Sequence, residues 1–348
     1  MSRIRIAGTQ DQPLWDDFIL SQGQGGPYHL FAWKRAVEQS YHHETRYILS
    51  ESDQGTVLGV LPLVLIKPPL LSSTLVSLPF CDYGGVLSPE REVSRELLEH
   101  ASVMAATLNA RLELRYREPA PEVSHVCGLG MTSQKVRMLL DLPGDSDQLW
   151  GSFKSKLRSQ IRRPQKDGLI FTMGSHDLLD DFYAVFRVNM RRLGSPVHAR
   201  AWIESVLNAF NERARVGVVY SGDNPAAAGI ILVCRNTATV PWASALSEYA
   251  RSSPNMLLYW GFLQHACACG CSSFDFGRST PGEGTYRFKE QWGARPSPLY
   301  WYGEGLYDSG VPAKNGGNLR KRIESVWSTL PQGVVDHLGP LVRKYIPL

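Results

Sequence analysis

The sequence predicts an α+β protein made of two related halves, each with a mixed, mostly antiparallel sheet. Short, apolar, β-branched runs with strand alternation recur in both halves, and longer stretches of helical periodicity separate them. Both halves also follow one order: helices, a hairpin of strands, a long helix, then another strand. Residue identity between them is too weak to make a sequence repeat. With 348 residues, 43% of them hydrophobic, the chain can bury a large core, and its length favours two domains over one.

In the first half, Arg3 to Ile6 reads as a strand, and amphipathic helices follow around Trp15 to Leu20 and Leu30 to Gln39. Strands are expected at Thr45 to Leu49, Val57 to Val64 and Leu75 to Leu78, punctuated by Gly55 and Pro68-Pro69. A turn-rich patch, LPFCDYGGVL from Leu78, precedes a helix from Glu90 to Asn109 and strands at Arg111 to Tyr116 and Arg137 to Asp141. The second half is expected to begin with a basic helix, then a strand at Leu169 to Met173 and helices at Leu178 to Arg192 and Ala199 to Arg213. Strands at Val216 to Tyr220, Ala227 to Arg235 and Thr237 to Ala245 precede a long helix from Asn255 to Gly270. The turn at Arg235-Asn236 is tight, and Asn236 is the residue expected to take a left-handed conformation there. The domains are placed at 1–145 and 146–310. A helical tail at 311–348, with Leu319, Ile323 and Trp327 one turn apart, is expected to pack back on the first domain.

Composition excludes several classes. The N-terminus lacks the apolar run of a secretory signal, and no window approaches eighteen uncharged apolar residues, so a cytoplasmic protein without a membrane span is expected. The tail, apolar with Arg343 and Lys344 beside it, offers peripheral contact with the inner face of the cytoplasmic membrane as a sharper reading. Six cysteines are too few for a disulfide scaffold. Cys267, Cys269 and Cys271 alternate without the paired knuckles of a zinc site, so no metal is expected and LLYWGFLQHACACG reads as a buried helix. A net charge of +4 is low for a general nucleic-acid binder, and no DNA partner is expected.

The positive charge is nevertheless concentrated. From Lys154 to Lys166 six cations occur without an acid. A helix ending at Pro164 would align Phe153, Leu157 and Ile161 in an apolar stripe and Lys154, Arg158 and Arg162 in a parallel basic one. Such a face suits phosphate, and a solvated basic face is the plain alternative.

The densest chemistry lies in SFDFGRSTPGEGTYRFKEQWG, Ser273 to Gly293, where three carboxylates, three cations, five aromatics and four glycines share one strand, loop and helix pattern. Phe274 and Phe276 would line one face of a half-buried strand, with Asp275 and Gly277 on the other. Gly277 to Gly284 would form a loop whose N–H groups approach a ligand, and Thr285 would cap a short helix carrying Tyr286, Phe288 and Lys289. Asp-Phe-Gly here is no kinase signature, because neither a kinase Gly-rich loop nor a His-Arg-Asp loop precedes it.

Five segments in order, PYHLFAWKRAVEQSY, LPFCDYGGVL, FKSKLRSQIRRPQKDGL, MRRLGSPVHARAWIESVL and SPNMLLYWGFLQHACACGCSSFDFGRSTPGEGTYRFKEQWGA, resemble the FemAB-type acyltransferases over nearly the whole chain, in particular the exosortase and PEP-CTERM-associated branch. The resemblance implies two tandem GNAT-like domains, the second carrying most of the pocket. It implies transfer of an acyl or aminoacyl group to an amine of a peptide or sugar precursor of the cell envelope or an exopolysaccharide. Phe288-Lys289 matches the Phe-Lys motif that puts a cation near the reacting acyl linkage, and Trp33-Lys34 sits where the family holds a phosphorylated acceptor. No helical-hairpin arm of the tRNA-using members is visible between 146 and 310. SEYARSSPNMLL stands where simple GNAT enzymes carry their pyrophosphate loop. Acyl-CoA and aminoacyl-tRNA, through its acceptor end, therefore both stay open as donor, with no tightly bound cofactor expected.

For N-acyl transfer the expected roles are Lys289 at the oxyanion or leaving group, Arg278 on a carboxylate or phosphate, and Asp275 positioning or deprotonating the amine. Pairing of Asp275 with Arg278 is the structural alternative. Asp82, Tyr83, Tyr249 and Tyr286 are further substrate contacts, and His198 is the less favoured pocket residue. A non-catalytic scaffold for polysaccharide assembly and an RNA-binding protein are the competing readings.

Overall fold

A computed structural model describes residues 2–303 and 324–347. The chain forms two compact units: described residues 2–135, 298–303 and 344–347 make the first, and 136–297 with 324–343 the second.

The first unit opens with β1 (Arg3–Ile6), α1 (Gln12–Ser21), α2 (Phe31–Tyr41), β2 (Glu44–Thr45), β3 (Ile48–Glu51), β4 (Val57–Leu61), β5 (Val64–Ile66) and β6 (Ser73–Val76). After α3 (Arg91–Thr107), β7 (Ala110–Tyr116), α4 (Pro121–Cys127) and β8 (Gly130–Met131), the chain leaves this unit and returns with β16 (Tyr300–Gly303). These strands build a three-stranded sheet, β1-β3-β4, and a six-stranded one, β2-β5-β6-β7-β16-β8. Strands β6 and β7 run parallel, joined through α3, whose Val93, Leu97, Leu98, Ala101 and Ala105 recur at helical spacing and are buried in the core.

The second unit begins with β9 (Val136–Asp141), α5 (Ser146–Ser152), α6 (Ser155–Lys166), β10 (Leu169–Gly174), α7 (Leu179–Arg192) and α8 (Arg200–Phe210). It continues with β11 (Ala214–Ser221), β12 (Asn224–Cys234), β13 (Thr237–Ala245), α9 (Pro254–Ala268), β14 (Ser273–Ser279), α10 (Gly284–Glu290) and β15 (Arg295–Pro298), and ends with α11 (Gln332–Arg343). Its seven strands are ordered β10-β11-β12-β13-β14-β9-β15. Helix α9 is apolar all round and buried along most of its length, as a helix between sheet and outer helices must be. Its glycine makes room for a neighbour: a Cβ on Gly261 would lie 2.3 Å from the Phe171 ring.

The related order of the halves appears as a parallel strand pair joined by a long helix in each unit, β6 and β7 through α3, β13 and β14 through α9. The division differs from 145/146. Strand β9 belongs to the second sheet because Val136, Met138 and Leu140 bury into the second core while its backbone pairs with β14. Strand β16, expected inside the second domain, pairs with β7 of the first. In the tail, residues 324–343 group with the second unit and only 344–347 with the first; Leu319 and Ile323 lie outside the described residues.

Three local expectations are corrected. At the β12–β13 turn Arg235, not Asn236, takes the positive φ, +55°. Asn236 instead turns its amide to Ser272 Oγ, 2.8 Å, and its carbonyl accepts from the N–H groups of Ser272 and Ser273. Helix α6 runs through Pro164 to Lys166, because a proline in the last turn costs one hydrogen bond while Leu157, Ile161 and Pro164 bury together. Lys154 is its N-cap and lies outside the helical repeat. No helix among the described residues is long and apolar enough to cross a membrane.

Candidate active site

The site forms where the parallel pair parts. Thr237, Ala238 and Thr239 of β13 pair with Ser273, Phe274 and Asp275 of β14, and the pairing stops there although β13 continues to Ala245 and β14 to Ser279. Both strands bend away through irregularities. Strand β13 shifts register against β12 between its partners for Ile230 and Leu232, and β14 shifts against β9 between Asp275 and Arg278. Alternation assigns the faces: Ala238, Val240, Met138, Phe274 and Phe276 join the core around α9, so Thr239, Asp275 and Arg137 share the opposite face. Arg278, register partner of Arg137, lies on that face too.

The expected half-buried strand is buried on both faces from Phe274 to Gly277, and Gly277 stays within β14 as a bulge rather than opening a loop. Its φ of +75° is open to glycine at little cost. Two side chains hold this residue from opposite ends. Asp275 Oδ1 accepts from the Gly277 N–H at 2.8 Å, and the Lys289 ammonium donates to the Gly277 carbonyl at 3.0 Å and the Arg278 carbonyl at 2.8 Å. Asp275 Oδ2 accepts from Arg137 Nη1 at 3.2 Å, with Asp275 only 1% exposed. Burial of that kind demands a partner, and Arg137 supplies it.

Lys289 reaches the strand because α10 docks by its aromatics. Tyr286, Phe288 and Trp292 pack against the second core, with Tyr259 stacked on Phe276 at 5.3 Å and Trp292 within 6.2 Å of it. Glu283, not Thr285, is the N-cap of α10, so the helix starts two residues earlier than expected and Lys289 falls in its last turn, 7% exposed. Around the parting strands stand three cations, Arg137, Arg278 and Lys289, and one carboxylate, Asp275. This is an excess of positive charge in a poorly solvated place, where a growing negative charge gains most. The Thr239 hydroxyl is buried there with no hydrogen-bond partner among the described residues. Along the β13 arm, half-buried Trp242 meets Trp202 edge-on at 6.3 Å and His198 at 6.1 Å. Burial holds the His198 imidazole well below its usual pKa, with Arg343 adding to the effect, so it is a neutral packing partner.

Of the sequence-selected residues, Asp275, Arg278 and Lys289 come together at the bulge, and Tyr286 lies half-buried on the same short helix as Lys289. Tyr249 is half-buried in the 3-10 turn Ser247–Ser252 that precedes α9. Lys154, Arg158 and Arg162 flank the buried stripe of α6, Arg162 lying over the Trp150 ring at 5.1 Å. In the first unit Trp33 is fully buried, its indole N–H on the Pro79 carbonyl at 3.1 Å; Lys34 donates to Glu38 at 2.6 Å and lies 5.0 Å over Phe31. Tyr83 is buried edge-on to Tyr28 at 5.1 Å beneath the Arg117 guanidinium, and half-buried Asp82 gives its carbonyl to Trp301. Among the described residues no three His, Cys, Asp or Glu cluster to hold a metal. Sequence reasoning missed Arg137, Thr239 and Trp242. Arg137 alone left a signal, a cation inside the alternating run VRMLLD.

Residues 151–290 match the family described as Acetyltransferase (GNAT) domain. Among solved structures, FemX is similar over 92% of this chain and 100% of its own at 15% identity and a TM-score of 0.69. A tandem GNAT protein from the clavulanic acid biosynthesis pathway covers 88% of this chain and 100% of its own at 11% identity and a TM-score of 0.53. The chain has a tandem GNAT-like fold. The C-terminal domain of a putative lysylphosphatidylglycerol synthetase from Agrobacterium fabrum shares the GNAT-like architecture over 87% of this chain and 94% of its own, at 16% identity and a TM-score of 0.58. No curated protein matches the chain. The GNAT family match ends at residue 290, one residue after Lys289, so it spans β13, α9, the β14 bulge and α10.

Proposed function

We propose that this protein is an N-acyltransferase that moves an acyl or aminoacyl group to an amine of a cell-envelope or exopolysaccharide precursor, with its reaction centre where β13 and β14 part. The observation that carries the reading is the Gly277 clamp. A buried ammonium and a buried carboxylate fix one residue of the strand, through the peptide groups on its two sides, at the place where the parallel ladder opens, and two guanidinium groups stand on the same sheet face as that carboxylate. The match of residues 151–290 to a GNAT acetyltransferase family and the tandem GNAT-like fold support the reaction class.

In the reaction the neutral amine attacks the acyl carbonyl. A C–N bond forms, the bond from the acyl carbon to the donor's sulfur or oxygen breaks, and the amine proton passes to solvent or to the leaving group. Lys289 is assigned to the oxyanion or the leaving group, which its charge stabilises across the short distance from the Gly277 peptide. Arg278, with Arg137 beside it, takes a phosphate or carboxylate of the substrate in the forked geometry of guanidinium. Asp275 orients the amine through the strand that it braces. Tyr249 and Tyr286 line the same unit. Lys34 and Asp82 are the polar acceptor contacts of the first unit, with Trp33 and Tyr83 as the buried rings next to them in sequence. Arg158 and Arg162 of α6, with Lys154 at its N-cap, suit the phosphates that acyl-CoA and an aminoacyl-tRNA end have in common.

The test is mass-spectrometric detection of N-acylated product when the protein is incubated with acyl-CoA or aminoacyl-tRNA and amino-sugar or peptide amines. Transfer that survives in Lys289→Met at the unchanged rate would remove the assigned centre. No transfer from any donor, with acceptor binding intact, would leave a binding protein rather than an enzyme.

A further inference from the structure

We propose that the loop between β5 and β6, residues 67–72, dips into an anionic lipid surface. Leu70 is fully exposed at 104% and Leu71 is 74% exposed, and Val103 of α3 is 67% exposed. A pair of adjacent leucines left in water loses the free energy that burial would return, so their position at a loop tip calls for an occupant. The tip is also built stiffly. Pro68 and Pro69 precede it, the Leu71 N–H turns back to the Pro68 carbonyl at 3.4 Å, and Leu70 holds a φ of +62°, a left-handed conformation disfavoured for a branched side chain.

The charge around the tip chooses the partner. From Pro62 to Val76 the sequence has no acid. Lys67 stands at the base of the loop and exposed Arg111 lines one shallow recess with Leu71, Ser72 and Ser73. The acid nearest in the ion-pair network, Glu44, is shared by Lys67 and Arg46. Three cations against one carboxylate complement anionic headgroups. A protein partner needs a broad surface, with roughly 800 Å² buried on each side of a standard interface. Two leucines on a narrow tip offer little area but enough depth to enter the boundary between headgroups and acyl chains, and Ser72, Ser73 and Asn109 can bond headgroups at its rim. The inference stands apart from the proposed reaction, since nothing in it depends on the β13–β14 site.

The test is co-sedimentation of the full chain with vesicles of phosphatidylcholine, with and without phosphatidylglycerol. Vesicles containing phosphatidylglycerol are expected to carry the wild-type chain down. The double variant Leu70→Ser, Leu71→Ser is expected to partition at least about 10-fold more weakly at an unchanged melting temperature. Lys67→Gln with Arg111→Gln is expected to weaken binding to the anionic vesicles about fivefold per charge, with little change on phosphatidylcholine alone. A control, Leu338→Ser with Leu341→Ser on the exposed apolar side of α11, is expected to bind like wild type. The inference is overturned if the wild-type chain ignores anionic vesicles, or if the loop variant binds as well as wild type. It is likewise overturned if the α11 variant abolishes binding while the loop variant retains it, or if light scattering shows that the serine pair converts a dimer to a monomer, which makes a second copy of the chain the occupant.

Discussion

Arg137→Met tests the keystone of the site, because it removes a cation from a carboxylate that has nowhere to go. Asp275 is 1% exposed and its Oδ2 lies 3.2 Å from Arg137 Nη1, so the variant leaves a charge buried beside the β14 bulge. Breaking a buried pair from one side costs about 3–5 kcal/mol. The bond from the Gly277 N–H to Oδ1 survives and solvates part of that charge, which places the expected cost near the lower end, about 3 kcal/mol. Asp275→Asn strands the guanidinium instead and should cost a similar amount. The double variant carries no stranded charge and keeps an acceptor for Gly277, so its cost should fall to about 1–2 kcal/mol, far below the sum of the singles. Urea unfolding at neutral pH gives the global values. Native-state hydrogen exchange at the Gly277 N–H isolates the second unit, which matters because the two units need not unfold together. Single variants within about 1 kcal/mol of wild type, or costs that simply add, would refute the claim that one buried ion pair braces the strand.

Lys289→Met takes the charged donor from the Gly277 and Arg278 carbonyls; kcat should fall about 100-fold or more with a smaller change in KM, measured by steady-state kinetics on protein whose circular dichroism matches wild type. Gly277→Ala forces a side chain into φ +75° and should destabilise by about 1–2 kcal/mol, read as a lower urea midpoint at constant m. His29, buried and near Arg117, has its pKa pushed down to about 3, so the unfolded chain takes up its proton first as the pH drops. Its contribution is whole above the unfolded pKa of about 6.5 and is lost below it at about 1.4 kcal/mol per pH unit, so stability measured at pH 7 and at pH 5 should differ less in His29→Gln. The triple variant Lys154→Gln, Arg158→Gln, Arg162→Gln should raise the donor KM and leave kcat unchanged; an unaltered KM would make the α6 face a solvated surface.

Much of the fold was legible because burial imposes its period on the sequence. The continuous apolar run of α9 announced a helix buried on all sides, and the Phe274-Asp275-Phe276 alternation announced β14. The same alternation in VRMLLD identified β9 as a strand but could not say which sheet it joins, since a period of two is satisfied by any neighbour with an apolar face. Register belongs to the partner strand. So did the boundary between units, which the chain crosses between Lys135 and Val136 and crosses back between Ser297 and Pro298.

The site divides the same way. Residue type and spacing alone marked Asp275, Arg278 and Lys289, because a carboxylate, two cations and a glycine within fifteen positions of a strand and helix pattern are dense chemistry wherever they fold. Tertiary structure decided what those groups face. Asp275 meets Arg137, 138 positions earlier, because β9 and β14 are adjacent in the sheet. Lys289 meets backbone carbonyls because the aromatic side of α10 is pulled into the core and swings the ammonium onto the bulge. Composition and period, which act locally, therefore determined the elements and the inventory of reactive groups. The pairing of strands far apart in the chain determined which groups confront each other and how little water lies between them, and on that the strength of a buried charge depends.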